Sequence, residues 1–308
     1  MKIRPTVLTI LCVAGLASGS ARAATYTVQK LAEGVWAAQP DQGANVGWFL
    51  LGDAVVAIDS GPDAASARMI LDKIAETAGK PVRYLIITHA HGDHAGGAGA
   101  FAAAGAQVVC AENAATGVAA VLQRAGGSSR LPFVTISERM GFIGGTRRAA
   151  IYWLGAAHTA GDLVVLLPDE KILFSGDIAL NGRLPYMQSP DMDSKNWEKI
   201  LPRLAAVDVE KMVPGHGVIG PRQGIADTLA YVRKVNELAA QFVQTRIPDE
   251  IYPMKLRDPD NRIENVPVTE EHIANVRAVV RQEKERLEKA LTPTPSAKKA
   301  PAKKPETR

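Results

Sequence analysis

The chain has 308 residues, 46% hydrophobic and 22% charged, a balance that excludes a disordered or fibrous protein and allows a sizeable core. Its formal charge of +4 sits at the ends: residues 1–23 carry +3 and residues 292–308 carry +4, leaving −3 for residues 24–291. A mildly acidic body argues against nucleic acid as a partner. Of the two cysteines, Cys12 and Cys110, only the second falls in that body, so no internal disulfide is available and Cys110 reads as a buried strand residue.

Taken in chain order, the first element is a leader. Lys2 and Arg4 precede an apolar run from Val7 to Ala17 and a small-residue site at Ala21-Arg22-Ala23, the pattern of a signal peptide cleaved after Ala23. The run is too short to span a bilayer comfortably. The expectation is therefore a periplasmic or secreted protein with no stable membrane insertion after cleavage.

Val46–Leu51 and Ala54–Ile58, separated by Gly52-Asp53, predict a hairpin, with Trp48 in its core. A helix over Asp63–Ala78 follows, then a β-branched strand over Val82–Ile87. Further expectations are a helix over Gly96–Ala104, a strand over Gln107–Cys110 and a helix over Glu112–Ala125. The second half restarts with strands at Ala150–Leu154, Leu163–Leu167 and Lys171–Phe174, the last two joined by a turn at Pro168-Asp169-Glu170. A helix over Lys195–Ala206 and a strand over Glu210–Val213 come next. Two long amphipathic helices close the body, at Ile225–Thr245 and Glu270–Leu291; the latter is capped by Thr269 and buries Ile273, Val276, Val280 and Leu287. Residues 292–308, rich in proline, alanine and lysine, read as a disordered basic tail. Two half-patterns of strands followed by helices point to two sheets packed face to face within one body, residues 24–291.

The histidines carry the chemical signal. The chain has six, and three of them, His89, His91 and His94, fall within THAHGDHAGG together with Asp93. Directly after a strand, His89 and His91 share one side and can grip one ion, and a turn at Gly92 redirects Asp93 and His94 toward a second position. His158 in GAAHTAGD, Asp177 in LFSGD and His216 in VPGHG lie at other strand ends and supply the ligands still missing from a metal shell. His272 is left over and is expected at the solvated surface.

HxHxDH followed by HTxGD, SGD and PGHG resembles the metallo-β-lactamase superfamily over roughly residues 28–220. The resemblance implies an α/β (α+β) fold, a four-layer αβ/βα sandwich of two mixed sheets with flanking helices and a dinuclear site on one edge. It assigns His89, His91 and His158 to one metal and Asp93, His94 and His216 to the other, with Asp177 bridging and Asp59, in AIDSGPD, steadying a ligand. The implied cofactor is two Zn2+ ions, with Fe or Mn as alternatives. A water shared by two such ions falls in pKa from ~15.7 to about 7 and becomes a nucleophile at neutral pH, with Asp93 to orient it and shuttle its proton.

The expected activity is hydrolysis of a small ester, lactone, thioester or amide. The zinc β-lactamases that the chain resembles around HTxGD generally carry cysteine where it has Asp177 and a lysine shortly after, where it has Ile178-Ala179-Leu180-Asn181, so β-lactam hydrolysis is the alternative rather than the first expectation. An iron-dependent persulfide dioxygenase on the same fold and a metal-binding protein without turnover are two further alternatives. In the loop NGRLPYMQSPDMD, Asn181, Arg183 and Tyr186 are candidates for substrate binding, against the simpler role of anchoring the loop. The oligomeric state stays open.

Overall fold

The structure is a computed structural model that describes residues 25–128 and 130–291. The expected leader and tail lie outside the described residues. The first sheet contains seven strands in sequential order: β1 (Tyr26–Ala32), β2 (Val35–Pro40), β3 (Val46–Leu51), β4 (Ala54–Ile58), β5 (Val82–Ile86), β6 (Gln107–Ala111) and β7 (Phe133–Ile136). Strands β1 to β4 run antiparallel, and β4 to β7 pair in parallel. The second sheet has six strands. In chain order they are β8 (Arg139–Gly144), β9 (Arg147–Trp153), β10 (Leu163–Leu167), β11 (Ile172–Gly176), β12 (Lys211–Pro214) and β13 (Gly220–Pro221), and neighbours pair in that order throughout. Only β11 and β12 are parallel there, so both sheets are mixed.

The helices are α1 (Ala64–Ala78), α2 (Gly92–Ala95), α3 (Ala98–Ala103), α4 (Ala115–Arg124), α5 (Ser194–Ala205), α6 (Gln223–Gln244), α7 (Tyr252–Lys255) and α8 (Glu270–Leu291). They account for the outer layers of the expected sandwich. The α1 helix starts where the Asp63 carboxylate accepts the Ser66 amide at 2.8 Å, and it ends at Gly79 in the left-handed conformation, a favourable pair of caps. No helix among the described residues is long and apolar enough to cross a membrane.

Side-chain alternation along the second sheet explains how two cores form. Leu163, Val165, Leu167, Phe174 and Val213 join the core between the sheets, whereas Val164, Leu173 and Met212, one residue out of phase, join the core beneath α5, α6 and α8. This is the two-residue period of a strand buried on both faces. The sheets approach closely: a Cβ on Gly47 of β3 would stand 2.2 Å from the Phe174 ring. Trp48 and Cys110 are buried as expected, and burial pushes the Cys110 thiol up to about 12, which makes it inert.

Several expectations need correction. The first two strands and the β7–β8 segment lie outside the expected elements: Tyr26–Ala32 and Arg139–Gly144 carry exposed and half-buried positions typical of sheet edges and lack an apolar run, whereas the run Val35–Ala38 of β2 is apolar and buried and did carry a strand signal. Gly96–Ala104 is not one helix; α2 closes at Ala95 and α3 restarts at Ala98. Gly92 is helical, with no positive φ, so a helical turn and not glycine's freedom redirects the chain. His272 is 2% exposed, its Nδ1 3.0 Å from the Tyr231 hydroxyl of α6, because the first turn of α8 packs on α6. Leu287 is 46% exposed: the apolar stripe of α8 is buried only over its first half. The Thr269 cap is present, its Oγ1 accepting the His272 amide at 3.2 Å.

Candidate metal centre

Five strand ends converge on one edge of the sandwich. Strand β4 delivers Asp59, β5 delivers Thr88 to His94, β11 delivers Asp177, β12 delivers His216, and the loop between β9 and β10 delivers His158. The sequence places these segments far apart; the parallel pairs β4–β5 and β11–β12 bring their carboxyl ends together. Close backbone approach is built in at Gly96 and Gly215. A Cβ at Gly96 would overlap the Pro62 carbonyl, and one at Gly215 would stand 2.0 Å from Asp177 Oδ1 and 2.8 Å from His94 Cε1.

All seven candidate ligands fall into two groups. His89, His91, His158 and Asp177 form one; Asp93, His94 and His216 form the other; within each, the ligand atoms lie within 4.8 Å of one another. In the first, His91 Nδ1 is 3.1 Å from His89 Nε2 and 2.9 Å from His158 Nε2. In the second, His94 Nε2 is 3.4 Å from His216 Nε2, and His216 Nε2 is 3.1 Å from Asp93 Oδ2. Tetrahedral ligands about 2.0–2.1 Å from a zinc ion stand roughly 3.3 Å from each other, so these spacings suit donors facing a common ion. Asp177 lies between the groups. Its Oδ2 is 3.5 Å from His158 Nε2 and 3.6 Å from His216 Nε2, and its Oδ1 is 3.6 Å from His94 Nε2. That Oδ1 atom is buried without a hydrogen-bond partner, the mark of a ligand aimed at a cation. The residues therefore fit two metal ions.

The far nitrogens of His89, His91, His94 and His158 are held so that the near ones face inward. Asp59, buried and at φ 60°, accepts the Thr88 amide and hydroxyl, each at 2.8 Å, and His94 Nδ1 at 2.8 Å. His89 Nδ1 lies 3.1 Å from the same hydroxyl. His158 Nδ1 donates to the Tyr186 carbonyl at 2.9 Å, and His91 Nε2 lies 2.9 Å from Ser189 Oγ. The Asp59 carboxylate and the Tyr186 carbonyl thus take the Nδ1–H of His94 and His158 and turn the Nε2 of each ring inward, where it can serve a metal as a neutral ligand. Asp162 fastens the His158 loop by accepting the Ala157 and Thr159 amides and the Thr159 hydroxyl. Burial pushes its carboxyl up to about 7 despite those donors.

The two groups differ electrically. Burial holds His89 well below the ordinary imidazole value, takes His91 down as well and lowers His158 to about 4. Burial also pulls at His94, but Asp59 first and then Asp177 and Asp93 outweigh it and raise the ring to about 10. At His216, burial is likewise outweighed, chiefly by the hydrogen bond to Asp93. Burial works to raise Asp93, yet His216 and His94 hold its carboxyl below the usual range. In the metal-free protein the first group is thus neutral imidazole, and the second is an imidazolium–carboxylate set.

Residues 40–216 match the sequence profile of the Metallo-beta-lactamase superfamily. The chain belongs to that superfamily. It is 30% identical over 166 residues to the 2,4-dinitroanisole O-demethylase subunit alpha of Nocardioides sp. (strain JS1661), covering 53% of this chain and 49% of that one. It is 26% identical over 180 residues to the type 2 metallo-beta-lactamase of Bacillus cereus, covering 57% and 67% respectively. The chain thus spans about half of the first of these relatives and about two thirds of the second. Among solved structures it is similar to a metallo-beta-lactamase from Pontibacter korlensis, at 26% identity and a TM-score of 0.59, over 68% of this chain and 99% of that one.

Beside the superfamily's ligand clusters lies a cavity of about 480 Å³. Its walls include Asp93, Leu184, Arg183, Tyr186 and Glu271, along with ligand residues from both groups. Arg183 and Tyr186 thus stand where substrate binding was expected. Asn181 does not: its side chain donates to the Val218 and Pro221 carbonyls and accepts the Gly224 amide, so it ties the loop to the start of α6. Sequence reasoning missed Thr88, Ser189 and Glu271. Thr88 adjoins the histidine motif and was open to detection as a hydroxyl beside a ligand. Glu271 carries no local signal, because only the packing of α8 brings it to the cavity.

Proposed function

We propose that this protein is a dinuclear metal-dependent hydrolase, with zinc in both positions, acting on a small ester, lactone, thioester or amide. His89, His91 and His158 hold one ion, Asp93, His94 and His216 hold the other, and Asp177 is shared. The observation that carries this reading is the orphaned, buried Asp177 Oδ1 between two groups of inward-facing imidazoles. When bound, such ions supply Lewis acidity and lower the pKa of a shared water toward about 7.

The chain's own groups do the rest. Asp93 is ionised at neutral pH and lines the cavity, so its carboxylate can orient the nucleophile, accept its proton and deliver that proton to the leaving group. Arg183 and Tyr186, on the loop after Asp177, face the same cavity and can hold a substrate anion or polarise a carbonyl. Glu271 is the one acidic side chain among the lining residues that belongs to neither ligand group. It opposes Arg183 in sign and favours substrates that carry a positive group.

A panel of chromogenic substrates tests the reading: a lactone, a thioester, a phosphodiester, a β-lactam and, given the demethylase relative, a nitroaryl methyl ether. The expected result is turnover of at least one acyl substrate by zinc-loaded protein, abolished in His91→Ala. Stoichiometric iron with oxygen uptake and no hydrolysis would overturn it.

A further inference from the structure

The 181–193 loop holds two of the candidate ligands and is itself held by α8, which lies beyond the superfamily match ending at residue 216. Asn275 of α8 is fully buried and clasps the loop on both sides of Tyr186. Its Nδ2 donates to the Pro185 carbonyl at 2.8 Å, and its Oδ1 accepts the Met187 amide at 3.0 Å. Tyr231 of α6 fixes the amide in turn, its hydroxyl 3.0 Å from Asn275 Nδ2 and 3.0 Å from His272 Nδ1.

The Met187 N–H and the Tyr186 C=O belong to one peptide group, which is planar and holds them pointing in opposite directions. Asn275 grips one end of that plane. The other end receives His158 Nδ1 at 2.9 Å. A single rigid unit therefore links the α8 side chain to a ligand ring, and hydrogen bonds in such a chain polarise one another.

We propose that Asn275 is a positioning residue for His158: by fixing the plane of the 186–187 peptide it sets the tautomer and ring angle of this ligand, and with them the affinity of the first ion site. This rests on the metal-binding reading above. The second group draws its support elsewhere, from Asp59 on His94, so the effect belongs to the first site alone. Gln282, about two turns farther along α8, clasps Met192 and Ser194 and takes neither of the hydrogen bonds of that peptide.

The test is zinc affinity, measured by competition with a chromophoric chelator on protein stripped of metal. In a His216→Ala background, which leaves the first group intact, Asn275→Ala is expected to weaken zinc binding by about 10–100-fold, the effect of losing the partner that orients a ligand. In a His158→Ala background, which leaves the second group, the same change is expected to have no effect, and Gln282→Ala is expected to alter neither. Nitrogen NMR of the imidazoles should show His158 losing its single Nδ1–H tautomer in the variant. Asn275→Ser, less disruptive to packing, carries the same expectation if the alanine variant does not fold. Equal weakening in both backgrounds, or unchanged affinity in the first, overturns the assignment. Failure of the unsubstituted protein to bind zinc would instead overturn the metal-binding reading.

Discussion

Replacing Asp59 with asparagine isolates one charge in the centre. Asparagine matches the size of the aspartate and tolerates its positive φ of 60°, so the principal loss is the carboxylate facing His94 Nδ1 at 2.8 Å. In the metal-free protein, His94 is raised from 6.5 to about 10, with Asp59 the foremost of the groups that raise it. That rise is what remains after burial has pulled the ring the other way, and it corresponds to roughly 5 kcal/mol of net pH-dependent stability. Breaking one buried charged pair costs about 3–5 kcal/mol by the usual measure, so Asp59's share comes to about 3 kcal/mol. Because the folded value lies above the unfolded one, this stabilisation is fully present below pH 6.5 and is lost as pH climbs through about 10. Urea unfolding of chelator-treated protein should therefore show Asp59→Asn less stable by about 3 kcal/mol near pH 6, with the gap closing above pH 10. A gap below about 1 kcal/mol near pH 6, or one that does not change with pH, would refute the electrostatic account of this pair.

Gly215→Ala would drive a methyl group into Asp177 Oδ1 and His94; elemental analysis after dialysis should find fewer than two ions per chain, with the fold retained by circular dichroism. Asp93→Asn keeps the shape but loses the proton acceptor, and steady-state kinetics on the best substrate of the panel should show kcat lower by about 10²–10⁴-fold. A rise in KM with kcat unchanged would remove Asp93 from the proton path. Glu271→Lys should lower kcat/KM for cationic substrates by about tenfold relative to neutral ones of the same leaving group; a uniform change across the charge series would make Glu271 a bystander.

The candidate ligands were readable because metal chemistry restricts residue type and because each of them follows a strand end, a local pattern that survives in one dimension. His89, His91, Asp93 and His94 lie in one short loop, and His158, Asp177 and His216 each stand in a glycine-marked turn. Strands with apolar runs, such as Leu163–Leu167, were legible for the same local reason. Edge strands were not, since β1 and β8 consist almost wholly of exposed and half-buried positions and offer no apolar run.

By itself, then, the sequence determined the donor atoms, their order and the kind of ion they suit. Tertiary structure decided which donors face one another, since that depends on the parallel pairings β4–β5 and β11–β12 that bring distant strand ends to one edge. It also decided the roles of residues with no chemical signature of their own. His272, chemically fit to be a ligand, is instead buried against Tyr231, and Asn181 anchors a loop rather than facing the cavity. Glu271 and Asn275 reach the centre only because α8 folds back across it. Side-chain chemistry is written locally along the chain, whereas proximity between segments more than fifty residues apart is a property of packing, which no local pattern encodes.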